Sequence, residues 1–379
     1  MLSTLGLLAQ RNALIAFATM SVLTLFFTLR GSSNSYRHAA ATSEQHKQSG
    51  LATPPSSLDE TAGLCRSHNF QPHRSNGSNH RKIYDLFLFS HELDWLEIRL
   101  NTLAPYVDYF VIVESPTTFT GMEKLLYLQQ NWSNFTQFHD KIIHKVVRDP
   151  GPSIGTSTWI HEDYFRNSLF QSTFPTLLFT EKEAHEGDVI LVSDVDEIPK
   201  PETINVLRHC NFPDRLTLRS HFYYYSFQWL HVGEQWPHPQ ATVFHGLSKT
   251  LSPNELRNGI GGPSSWWPFR ASIHRWWQKS DMWNAAWHCS SCFATLAEMR
   301  AKMESFSHTP LNTAENRDES TMLERVRHGK DLFGREGQEY ERVDNNRDVP
   351  TYILDRKAEF EYLLDRDGRN AGFRDWTSS

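Results

Sequence analysis

The stretch DVILVSDVDEIPKPET, residues 188–203, runs from the apolar residues Val189 to Val192 straight into Asp194, Asp196 and Glu197. A short apolar run bounded by polar residues reads as a buried strand, so these acids stand at a strand's carboxyl end. In open parallel α/β sheets that edge is where ligands sit. Asp194 and Asp196 are two apart in an extended segment and can face one cation, directly or through water. Carboxylate oxygens suit Mg2+ or Mn2+. A helix–loop–helix calcium loop also opens on alternating acids, but it needs glycine at its sixth position. Counting from Asp194, that position is Pro199. A solvated acidic turn is the remaining alternative.

Working outward, the text around this stretch alternates strand and helix patterns. IYDLFLFS (83–90) and VDYFVIVES (107–115) are strand runs, and LDWLEIRLNTLAPY between them has Leu93, Leu96, Ile98, Leu100 and Leu103 on a largely helical apolar face before Pro105. DKIIHKVV (140–147) reads as a further strand, 162–179 as a helix and 187–193 as the strand that ends at the acids. The fold class expected is α/β, a mainly parallel sheet flanked by helices. The segment from about residue 311 is charged and reads as an amphipathic helix and a loop packed on the edge of the same unit.

The formal net charge of −6 argues against nucleic acid as a partner. At the amino end, ALIAFATMSVLTLFFTL (13–29) is free of charge and bounded by Arg11 and Arg30. It is at the short end of a membrane span. No small-x-small cleavage site follows it, as a signal peptide would require. The layout expected is a cytosolic tail (1–12), a transmembrane signal anchor (13–29), a flexible stem (30–81) and a lumenal catalytic domain (82–379). Three N-x-[ST] sequons, at Asn76, Asn131 and Asn134, favour a lumenal orientation and hence a Golgi-type, single-pass layout. Cys65, Cys210, Cys289 and Cys292 allow three full pairings as structural disulfides. The C-x-x-C at 289–292 is also open to a redox or zinc reading.

The runs KIYDLFLFSHELDWLEIRLNTLAPYVDYFVIVESPTTFTGMEK (82–124), SDVDEIPKPETI (193–204), WHCSSCF (287–293), KMESFSH (302–308) and GKDLFGR (329–335) resemble glycosyltransferase family 17. The resemblance implies a GT-A-like fold and inverting transfer of N-acetylglucosamine from UDP-N-acetylglucosamine to a β-linked mannose of N-glycans. It also implies a divalent cation, Mn2+ or Mg2+. Carried over by residue, Asp194 and Asp196 become cation and donor ligands, Glu197 lies close to the sugar, and Asp196 and Glu197 carry catalysis. Glu92 and Glu114 end the first two strands, on the uridine side. Lys124 and the Arg166-Asn167 pair are placed at phosphate, and His288 is a third cation ligand, with His308 a further candidate. Helix capping for Glu92, turn capping for Glu197 and plain solvation for Lys124 are the structural alternatives. Ala286 and Ser291 depart from the family pattern, which has glycine and an aromatic there. The aromatics of HFYYYSFQWL (221–230), Trp266-Trp267 and Trp276-Trp277 are either core or sugar-stacking surface. A transferase for another UDP-sugar or acceptor, and a catalytically silent carbohydrate-binding scaffold, are the alternative functions.

Overall fold

Strand β2 (Ile83–Phe89) lies in the interior of the large sheet, between two other strands, and its side chains alternate between two apolar layers. Ile83, Phe87 and Phe89 join one buried cluster with Trp95, Leu96 and Ile98, while Tyr84 and Leu86 join another with Phe165 and Leu169. A strand covered on both faces needs such a continuous apolar run. The computed structural model describes residues 52–74, 80–262, 268–307 and 309–376. The anchor read over 13–29, the sequon at Asn76, Trp266-Trp267 and His308 lie outside the described residues.

In chain order the strands are β1 (Gln71–Pro72), β2, β3 (Tyr109–Glu114), β4 (Ile142–Val146), β5 (Val189–Asp194) and β6 (Glu197–Pro199), then β7 (Cys210–Asn211), β8 (Arg215–Tyr224), β9 (Ser226–His231), β10 (Gln240–Val243), β11 (Lys279–Ser290) and β12 (Tyr340–Arg342). The helices are α1 (Leu58–Ser67), α2 (Leu93–Leu103), α3 (Tyr127–Gln130), α4 (Thr158–Gln171), α5 (Pro201–His209), α6 (Pro253–Arg257), α7 (Pro268–Trp277), α8 (Leu296–Ser305), α9 (Glu319–Arg327) and α10 (Thr351–Asp355). The large sheet runs β12-β9-β8-β10-β5-β2-β3-β4, with β11 paired to β8 and β6. From β2 the chain moves outward to β3 and β4, then returns through α4 to β5 on the other side of β2. The strand order therefore reverses between β2 and β5, and Leu88 faces Asp194 across that pair.

The α/β class holds, but the sheet is mixed rather than mainly parallel. β5, β2, β3 and β4 are parallel, whereas β10 runs antiparallel to both β5 and β8, and β9 antiparallel to β8 and β12. The physical reason is a hairpin hidden in HFYYYSFQWL. Tyr225 adopts a left-handed φ of 65° and reverses the chain between β8 and β9. An aromatic residue gives no turn signal of the kind glycine or asparagine provides. Tyr223, Tyr225 and Phe227 are buried core, whereas Phe222 and Tyr224 also border a cavity.

The stem read over 30–81 is folded in its last part. Ser57 caps α1 through its hydroxyl, Cys65 is bonded to Cys210, and β1 pairs with β7. That anchoring comes from a covalent partner 145 residues away, which local composition does not reveal. Cys289 pairs with Cys292, so all four cysteines are in disulfides. The helix expected over 162–179 starts earlier and breaks earlier. It spans 158–171, and Pro175 then falls in a separate 3-10 turn, Phe174–Leu177. The charged carboxyl-terminal segment docks on the sheet through β12 and through Arg366, a fully buried side chain that donates to the carbonyls of Tyr225, Phe293 and Ala371.

Candidate active site

A cavity of about 770 Å3 opens outside the carboxyl ends of β2, β3 and β5, where the strand order reverses. Ser90, Ser115 and Asp194 mark those three strand ends on its wall, and α8 and the 332–338 loop close the opposite side. Its volume falls in the range of sites for ligands of drug or nucleotide size.

The turn after β5 is held from behind. Arg99 on α2, fully buried, grips Asp85 with two hydrogen bonds of 2.8 and 2.6 Å. The same guanidinium donates to the Ser193 hydroxyl (2.5 Å) and to the carbonyls of Asp194 (3.0 Å), Val195 (3.2 Å) and Glu197 (2.8 Å). One side chain therefore fixes the backbone of residues 193–197. Its position was visible in the sequence as a charge on the core face of an amphipathic helix, one turn from Trp95 and Leu103.

From the cavity side the turn is held by Arg257, at the end of α6. Its Nη1 and Nη2 donate to the two oxygens of Glu197 at 2.8 and 2.9 Å, and Nη2 also reaches Asp194 at 2.7 Å. Glu197 additionally accepts from Trp236 Nε1 and from the Asp194 amide. Burial opposes its ionisation, but the Arg257 guanidinium holds its carboxyl well below the usual range. Glu197 lines the cavity, and its carboxylate is fully engaged. It organises Asp194 and Arg257 instead of standing ready to exchange a proton.

Asp196 is different. No hydrogen bond to its carboxylate is formed among the described residues, and His288 Nε2 is 3.9 Å away. Burial is the main cause that pushes its pKa up to about 7; Lys302 opposes this, and Asp194, Glu197 and Glu92 add to it. His288 lies on β11 opposite Glu197 and stacks on Phe222 with ring centroids 4.9 Å apart. Burial lowers its pKa to about 4, so the imidazole is neutral near pH 7, and its buried Nδ1 has no partner.

Glu92 lies on the wall, where burial would favour its neutral form but Lys302, 3.0 Å away, keeps it ionised. It also accepts from the amides of Ser90 and His91, so it shapes the loop as well. Lys124 is on the wall with its ammonium donating to the Ser90 and Leu125 carbonyls at 3.3 Å. Arg166 joins Glu162 at 2.6 Å and Asp194 at 3.5 Å. Two predicted residues are not in the cavity wall. Glu114 is fully buried, caps α3 through the amides of Leu128 and Gln129, and meets His144. Asn167 ties α4 to α6 by accepting from the Asn254 amide. Glu114 faces away because side chains alternate along β3 and its neighbours Val113 and Ser115 face in, whereas Asn167 lies on the side of α4 turned toward α6. Sequence reasoning missed Arg257 and Lys302; no motif surrounds Arg257, whereas Lys302 opens the quoted KMESFSH run.

A divalent cation can be tested against this donor set. Among the described residues no group of three or more His, Cys, Asp or Glu side chains converges on one point. Mg2+ characteristically takes only one or two protein carboxylates and completes its shell with substrate phosphates and water. Asp196, without hydrogen-bond donors and crowded by other acids, and the His288 Nε2 3.9 Å from it fit that arrangement. Asp194 fits it once Arg257 turns to another anion.

The family model described as Glycosyltransferase family 17 matches residues 11–250 and 265–369. The chain is also similar to the beta-1,4-mannosyl-glycoprotein 4-beta-N-acetylglucosaminyltransferases of Homo sapiens, 25% identical over 309 residues, and of Rattus norvegicus, 24% identical over 309 residues. Each alignment covers 75% of this chain and 55% of the relative, so the chain spans about half the length of the relatives it matches.

Proposed function

The chain belongs to glycosyltransferase family 17, and from that premise we propose that it moves N-acetylglucosamine from UDP-N-acetylglucosamine to a β-linked mannose of an N-glycan, forming a β-1,4 linkage with inversion. The observation that carries the proposal is the gathering of Asp194 and Asp196 with Arg166, Arg257 and Lys302 in one cavity at the sheet's reversal point. A nucleoside diphosphate leaving group needs positive charge as its bond to the sugar breaks. Arg166 and Arg257 offer planar forks suited to phosphate oxygens. Asp194 and Asp196, with His288 beside them, are the residues that would hold Mn2+ or Mg2+. When bound, such an ion supplies further neutralisation of the diphosphate.

The protein residues then have separable tasks. Arg99 and Glu197 hold the turn, Asp194 releases Arg257 toward the diphosphate, and Lys302 balances Glu92 and Asp196. The acceptor hydroxyl attacks the anomeric carbon from the side opposite the departing diphosphate, which inversion requires. A Golgi membrane location with the catalytic domain lumenal is part of the proposal. The two disulfides and the exposed Asn134 sequon support an oxidising, glycosylating compartment. A gel shift on enzymatic removal of N-glycans tests that location, and its absence counts against it.

The deciding experiment measures UDP release from a panel of UDP-sugars, with a mannose-containing N-glycan acceptor and Mn2+. UDP-N-acetylglucosamine is the expected donor. Asp196→Asn should keep the fold and lower turnover by about 10² to 10³, and chelation of the wild type should mimic it. No release with any UDP-sugar, or activity indifferent to both Asp196→Asn and chelation, would refute the proposal and favour a silent carbohydrate-binding scaffold.

A further inference from the structure

Helix α4 presents Trp159, Asp163 and Arg166 to the cavity. The spacing i, i+4, i+7 places them in one row on a single helix face. The inner end of the row is cationic and close to the acidic turn, since Arg166 lies 3.5 Å from Asp194. The outer end has a different chemistry. Trp159 leaves 48% of its surface in water although it lines a cavity, and Asp163 stands one turn inward from it.

Apart from Asp196 in the acidic turn, which also lacks a direct donor, the other carboxylates on this wall are occupied. Asp194 and Glu197 are held by Arg257, Glu162 by Arg166 and the Ser307 hydroxyl, and Glu92 by Lys302. Asp163 makes no ion pair among the described residues, and its side chain shares a hydrogen bond with Asn254. An indole face with an acceptor-only carboxylate beside it matches a neutral polyol, whose C–H face packs on the ring while a hydroxyl donates to the carboxylate. It suits a diphosphate poorly, because the nearest charge at that end is negative and the cations sit deeper.

We propose that Trp159 and Asp163 form the acceptor-saccharide subsite, with Trp159 as the stacking platform and Asp163 as the group that receives an acceptor hydroxyl. The inference rests on the transferase reading for its kinetic consequences but not for binding itself. Both are therefore measured on the full chain: steady-state transfer from UDP-N-acetylglucosamine, and saturation-transfer NMR with a mannose-terminated N-glycan in the absence of donor.

Trp159→Ala should raise the acceptor KM about tenfold, equivalent to about 1.4 kcal/mol, and leave the KM for the nucleotide sugar within a factor of about two. Trp159→Phe should recover most of the loss, and Asp163→Asn should raise the acceptor KM severalfold. The NMR contact should disappear in Trp159→Ala. If wild-type transfer is absent but glycan contact is lost in Trp159→Ala, the transferase reading fails and the subsite stands. An unchanged acceptor KM with unchanged glycan contact overturns the subsite. So does a rise confined to the KM of the nucleotide sugar, which would place the uracil on Trp159.

Discussion

Replacing Arg99 by methionine should separate the stability of this protein from its activity. Arg99 and Asp85 are both fully buried and bonded to each other. Removing the guanidinium alone leaves a buried carboxylate without its counter-ion, a change that costs about 3 to 5 kcal/mol. Three backbone carbonyls, of Asp194, Val195 and Glu197, lose a donor at the same time. The double variant Arg99→Met with Asp85→Leu removes the unpaired charge, and apolar replacement of a buried ion pair is often close to neutral. Its stability should recover most of the cost of the unpaired charge, less what the three carbonyls still lack in a donor, while the acidic turn remains without its support from α2. Urea denaturation followed by circular dichroism gives the first quantity, and UDP release at saturating donor gives the second. The expected pattern is low stability and low turnover in the single variant, then restored stability with turnover still reduced at least tenfold in the double. Recovery of both together would show that Arg99 acts only through global stability. A cost below about 1 kcal/mol in the single variant would refute the buried-pair argument itself.

Two other expectations are read from single features. His245 is flanked by Glu186 at 2.7 Å and Asp214 at 2.9 Å; burial disfavours its charged form, but these carboxylates hold its pKa above the ordinary value. The stabilisation is then complete below the unfolded pKa of about 6.5 and is lost as pH rises through the folded value, so His245→Gln should destabilise more at pH 5.5 than at pH 9; an equal cost at both pH values would refute the ion-pair account. Replacing Cys65 and Cys210 together by serine should cost about 2 to 4 kcal/mol in denaturant and free α1 for proteolysis, whereas an unchanged midpoint would mean that α1 is held by packing alone.

The parallel half of the fold was legible because each of its strands carries a complete local signal. Residues 83–90, 107–115, 140–147 and 187–193 each contain a short apolar run; β2 to β4 fall inside those limits, and β5 overruns its limit by one residue, Asp194. The antiparallel half was not legible, because its main reversal is made by Tyr225 in a left-handed conformation and not by a turn-forming residue. Burial overrides local preference there: the ring packs in a cluster with Tyr224 and Met299. The end of the stem was misread for a related reason. α1 is polar along most of its length, with Cys65 its one buried residue, and the disulfide to Cys210 supplies what an apolar face would otherwise provide.

The site divides along the same line, between what lies close in sequence and what the fold brings in from afar. Asp194 and Asp196 were readable because a strand end and an acidic pair are both local. The cations that hold the turn were not, because Arg99, Arg257 and Lys302 come from three separate helices. This explains why an apolar strand can end in a knot of acids without unfolding itself. Glu197 is neutralised by Arg257, Glu92 by Lys302, and the backbone of the turn is satisfied by Arg99. Asp196 alone is left without a direct donor, and its raised pKa follows from burial, with the neighbouring acids adding to it against Lys302. A purely structural acidic turn would gain by pairing that carboxylate too, since a hydrogen bond to a charged group adds about 1.5 to 3 kcal/mol. A site that binds a cation or a donor group must leave some acceptor capacity unspent, and here the unspent capacity is at Asp196. Asp196 is thus the position in the turn where substitution should damage turnover more than stability, whereas at Glu197, whose carboxylate is already saturated, the order should be reversed.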